Sequence, residues 1–115
     1  MDIIELDNSI KSNKFLNETA LQLEKDFLTI GIHFDIEQFG FTYKDIFSFT
    51  LHLIESLNNH EPKKILNLLY RIDLSEEKVR KEMQNTTVSF TEMLSEMIVK
   101  RELQKVIIKN YYSIP

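Results

Sequence analysis

The chain has 115 residues, 43% hydrophobic and 28% charged, with a formal net charge of −4; that is the size and balance of one globular domain, able to bury roughly two-thirds of its unfolded surface. The absence of cysteine excludes disulfides, zinc knuckles and thiol chemistry. No run approaches the ~18 apolar residues of a spanning helix, and the start Met1–Asp7 lacks the basic and apolar regions of a secretory leader, so a cytoplasmic location is expected.

Ile, Lys, Asn and Phe are frequent and Ala occurs once, a bias toward AT-rich codons that points to a bacterial source. Charge is uneven: residues 1–60 carry 4 Lys against 10 Asp and Glu, whereas residues 61–115 carry 10 Lys and Arg against 8. The two halves either attract each other within one fold or present a polar surface to a partner. Two Gly and two Pro punctuate a chain of long helices with short joints. Residues 1–115 read as a single helical domain, with 1–11 as an N-terminal arm.

The spacing of Leu16, Ala20, Leu23, Phe27 and Ile30 predicts a first helix from about 13 to 29, its stripe widened by Leu21 and Leu28. Gly31 is placed to end it. Residues 32–37 alternate apolar and polar and read as a short extended linker that pins Phe34 and Ile36 to the core, with pairing to the N-terminus near Ile3 and Ile4 as an option. Thr42 followed by Asp45 reads as an N-cap with an acid in the first turn. The helix after it, about 43–58, is the most apolar. Ile46, Thr50, Leu53 and Leu57 share its stripe, flanked by Tyr43, Phe47 and Ile54, and it is expected to be the central helix.

Pro62 opens a third helix, about 62–72, with Ile65, Leu68, Leu69 and Ile72 inward. Ser75 caps a short helix, about 76–84, started by Glu76 and Glu77 and anchored by Val79 and Met83. Ser89–Glu92 fits a capping box before a last helix of about 90–110. That helix is unusual. At 100° per residue from Phe90, the side chains Met93, Leu94, Met97 and Ile98 fall within about 80° of the origin, whereas Val99, Leu103, Val106 and Ile107 fall between about 160° and 260°. The apolar face swaps halfway. Either the helix kinks near Lys100–Glu102, or it runs straight between two layers, or one half packs on the core while the other meets a partner chain. Arg101, Lys105 and Lys109 form a basic row on the side the apolar residues vacate, and Tyr111 and Tyr112 follow.

Signatures of chemistry are absent. His33, His52 and His60 do not cluster and show no i, i+4 spacing for zinc; no metal or cofactor is expected. His52 falls opposite the apolar stripe of its helix and should be solvated. No nucleophile elbow exists, and Asp73, Glu76 and Glu77 surround a helix start, where capping explains them better than acid–base work. No catalytic residue is assigned, and an enzyme is disfavoured. Residues 62–84 have the outline of a helix-turn-helix with Lys78, Arg80 and Lys81 on the second helix, but Glu76, Glu77 and Glu82 dilute that patch.

The segments Leu68–Glu76 (LLYRIDLSE) and Arg101–Val106 (RELQKV) resemble a family of short, uncharacterised helical proteins from Bacteroidota. The resemblance covers about 65–112, implies a bacterial cytoplasmic origin and carries no activity. The same segments raise the question of ion pairing by Arg71, Asp73 and Arg101, with Arg101 expected to reach a carboxylate of the acidic first half.

The resulting expectation is an all-α, compact four- to five-helix orthogonal bundle with a long C-terminal helix. Its function reads as a non-enzymatic protein-interaction module, adaptor or self-associating, that contacts a protein partner or a second copy through Val99, Arg101, Leu103, Lys105, Val106, Lys109 and Tyr111. The alternative is a nucleic-acid-binding regulator using helix 76–84 or the basic row. A third is a small-molecule pocket lined by Phe and Met. No membrane contact is expected.

Overall fold

The computed structural model describes residues 13–35 and 42–112. Among these residues five helices pack into an all-α bundle: α1 (Asn13–Leu28), α2 (Tyr43–His60), α3 (Pro62–Arg71), α4 (Glu76–Asn85) and α5 (Phe90–Tyr112). None is long and apolar enough to cross a membrane.

Local chemistry sets most of the boundaries. At the end of α1 the Ile32 amide donates to the Phe27 carbonyl and the Gly31 amide to that of Leu28, both at 3.0 Å. This double closure needs a left-handed residue at Gly31, whose φ is +82°. Thr42 caps α2 by accepting from the Asp45 amide at 3.1 Å, and Pro62 opens α3 where no N–H is needed. Ser75 accepts from the Lys78 amide at 3.1 Å, and Ser89 from the Glu92 amide at 3.2 Å.

The joint between α3 and α4 repeats the closure seen after α1. Leu74 donates to Leu69 at 2.9 Å and Asp73 to Tyr70 at 3.3 Å. Here the left-handed position is held by Asp73, with φ +61°, a conformation that costs a non-glycine residue roughly 1–2 kcal/mol.

The core gathers Phe27 of α1, Ile46 and Ile54 of α2, Leu68 of α3, Ile72 of the joint and Leu94, Ile98 and Leu103 of α5, all fully buried. Phe34 follows α1 without regular structure and packs edge-on to Phe27 at 5.8 Å and to Phe49 at 4.7 Å. Its predicted role as an anchor therefore holds. Ile36 and Glu37, at the end of the predicted linker, and the N-terminal arm lie outside the described residues.

Three expectations change. The central helix is α5, not α2: α5 packs against α1, α2 and α4, while α2 packs mainly against α5 and α3. Leu21 and Leu28 do not widen the α1 stripe but are exposed, since they project well away from the Leu16–Phe27 arc. Met83 is 45% exposed, so Val79 is the buried residue of α4.

Candidate functional site

The packing of α5 decides what is left to bind anything. The helix is continuous through Lys100, and Val99, Leu103 and Val106, expected at a partner interface, are buried within the chain itself. The apparent swap of face has a geometric origin. Residues 94, 98, 102 and 106 form one buried row, and residues 95, 99, 103 and 107 form a second beside it. Rows of spacing four drift by about 40° per step around a helix. A band that follows them winds around the helix as it advances, as ridges do when they pack into the grooves of obliquely crossing neighbours. Two polar residues, Ser95 and Glu102, occupy this band. They split it into two apolar patches that look unrelated in projection.

The basic residues lie along one edge of the band. Arg101 donates from Nε to the Ile72 carbonyl at 3.0 Å and from Nη1 to Gln104 Oε1 at 2.9 Å. Its Nη2 lies 3.7 Å from Asp73 Oδ2. It ties the α3–α4 joint to α5, so its carboxylate partner comes from the second half of the chain, not the first. Arg71 is exposed and no ion pair joins it to Asp73, since successive side chains of this turn diverge. Lys109 and Tyr111 are solvent-facing, Tyr111 at 72% exposure, and Tyr111 stacks edge-on to Tyr112.

Lys105 is the residue that crosses to the acidic half. Its Nζ lies 3.2 Å from Asp26 Oδ2 and 3.3 Å from Glu102 Oε1. Gln22 Nε2 also donates to Asp26 Oδ2, at 3.0 Å. One turn further along α5, Asn110 donates to Glu18 Oε2 at 2.6 Å. Glu102 is 0% and Asp26 3% exposed, and Lys105 bridges the two carboxyl groups. Among the described residues, no partner reaches Glu102 Oε2, so one ammonium serves two buried carboxyls. Burial, reinforced by the adjoining Asp26 carboxylate, pushes Glu102 up to about 8. Asp26 also loses hydration, which alone would raise it, but the neighbouring Glu102, Gln22 and Lys105 together hold it below its ordinary value. Glu102 is therefore the protonated member at neutral pH. Sequence reasoning singled out Lys105 but did not join it to Asp26 or Glu102. The available signal was a glutamate in a four-residue row with Leu94, Ile98 and Val106.

A second feature is open to solvent. Between α4 and α5 runs a groove of about 390 Å³. Leu74, Met93 and Met97 supply its apolar surface, with Val88 exposed at one end. Lys78 and Glu82 of α4 stand on one side, and Lys100, Arg101 and Glu96 of α5 on the other. Lys100 and Glu96 neutralise each other at 2.8 Å.

Acids intersperse the basic side chains of this region. The first turn of α4 carries Glu76 and Glu77, Lys81 pairs with Glu77 at 3.6 Å, and Arg101 and Lys105 of the basic row are engaged within the fold. Among the described residues, no three His, Cys, Asp or Glu side chains come together in a manner that could hold a metal ion. The chain matches no protein-family model, no curated protein and no solved structure.

Proposed function

We propose that the protein is a non-enzymatic binding module that engages another polypeptide through the α4–α5 groove. The observation that carries this reading is the groove itself: a cleft of about 390 Å³ that leaves Met97 and Val88 in reach of solvent between walls carrying both Lys78, Lys100 and Arg101 and the acids Glu82 and Glu96. Methionine is flexible and polarizable and suits contact with apolar side chains of varied shape. A rim of mixed charge favours a peptide over a polyanion. Asp26 and Glu102, the two acids bridged by Lys105, are sealed from solvent and so cannot reach a substrate.

A benzophenone side chain at Val88, with the same group at exposed Ser56 as control, tests the proposal in cell extract and with the purified chain. Discrete adducts from Val88 alone, abolished by Met97→Glu, are expected. Sedimentation over a concentration series then tells a second copy from a different protein. Equal labelling from Val88 and Ser56, or adducts indifferent to Met97→Glu, would overturn the reading.

A further inference from the structure

We propose that the Asp26–Glu102–Lys105 cluster is a proton-operated latch between α1 and α5, shut while the two carboxyls share one proton and loosened when that proton leaves.

The geometry is that of an incompletely neutralised site. Two buried carboxyls meet one ammonium, Lys105, which sits between them at 3.2 and 3.3 Å. One positive charge balances one carboxylate. The second carboxyl must keep its proton or stand as an unpaired buried charge, a state the enclosed position penalises heavily. Glu102 is the more enclosed and its Oε2 has no donor, whereas Asp26 also receives the Gln22 amide. The proton accordingly resides on Glu102.

Among the described residues, no other charge acts on Glu102. The groups acting on Glu102 are Asp26 of α1 and Lys105 of its own helix. Helix α2, the other long neighbour of α5, buries Ile46, Thr50, Ile54 and Leu57, none of which titrates. Helix α4 buries Val79. Arg101, the adjacent residue, is committed to Ile72 and Gln104. When the Glu102 proton leaves, at about pH 8, one lysine faces two carboxylates, and the two acids that Lys105 bridges between α1 and α5 repel each other. The helix that yields is α1, because α5 is also held by α2 and α4.

Carboxyl-carbon NMR of Glu102 in the full chain, together with amide exchange at Leu23, Phe27, Ile54 and Leu68, tests the latch. Glu102 is expected to titrate well above the ordinary carboxylate range. After correction for intrinsic exchange, α1 amides should lose roughly tenfold protection between pH 7 and 9.5, with Ile54 and Leu68 changing less. Glu102→Gln keeps a neutral donor to Asp26 and should abolish that loss. Asp26→Asn supplies a donor to Glu102 and should lower its titration midpoint by about one pH unit or more. A Glu102 midpoint below about 6, or equal loss of α1 protection in the wild type and Glu102→Gln, would overturn the proposal.

Discussion

Several single side chains in this bundle are placed at a cost, and each cost is measurable. The Tyr43 hydroxyl is buried without a partner, and burial with the nearby Glu96 charge pushes it up to about 12. Tyr43→Phe removes an unmet donor and keeps the ring, so denaturant unfolding should show unchanged or higher stability, by up to about 1–2 kcal/mol. Ser95 is likewise fully buried with an unpartnered hydroxyl, and Ser95→Ala should raise stability by about 1 kcal/mol, since alanine also has the better helix propensity. Asp73 occupies a left-handed position with its side chain 94% exposed, so its ion pair to Arg101 contributes little. Asp73→Gly relieves the backbone and should stabilise by up to about 1 kcal/mol. A loss on that substitution would show that the exposed pair matters more than the conformation.

Among the helices, the joint between α3 and α4 depends on a single residue of α5. Arg101 donates to the carbonyl of Ile72, which ends α3, so Arg101→Ala should cost about 1–2 kcal/mol, seen as a lower denaturant midpoint. Arg101→Lys should not restore it, because an ammonium lacks the planar fork that serves Ile72 and Gln104 together. Much at this level was legible beforehand. Thr42, Pro62, Ser75, Ser89 and Gly31 announce helix ends through chemistry that acts within a few residues, and all five stand where the helices begin or end. What escaped were features set by distant parts of the chain. The burial of Val99, Leu103 and Val106 against the same chain as Leu94 and Ile98 could not be read locally. Ser95 and Glu102 interrupt the buried band, and an apolar pattern interrupted at its midline looks like two faces. Met83 failed for the opposite reason: its spacing from Val79 is right, but among the described residues α4 lies chiefly against α5, and Met83 is left half-exposed. The pairing of Asp26 with Glu102 joins residues near opposite ends of the described chain, and no spacing rule connects them.

For the molecule as a whole, the buried acids set the response to pH. Glu102 has a raised value in the fold, about 8 against 4.5 when unfolded. The folded state therefore holds a proton that the unfolded state has released, and the stability due to Glu102 is full below about 4.5 and is lost as pH rises toward about 8. Asp26 works the other way: its value is lowered below 3.8, so its contribution is present above that point and fades as the solution becomes more acid. Thermal unfolding should show stability falling from pH 5 to pH 8 and levelling off beyond, with the fall absent in Glu102→Gln. A wild-type profile flat over the same range would mean that Glu102 is ionised in the fold.

The arrangement of α5 bears on how the chain comes to be folded at all. It is the last of the five described helices to be synthesised, and α1, the first, packs chiefly against it. Until α5 has emerged, the greasy side of α1 has little to cover it, and α2 with α3 can make only a partial nucleus. Ribosome-bound chains stalled before residue 90 should be readily cut by protease within α1, and should gain protection only once Ile107 has cleared the exit tunnel. Maturation of this domain is thus governed by a late, long-range closure rather than by stepwise accretion from the N-terminus.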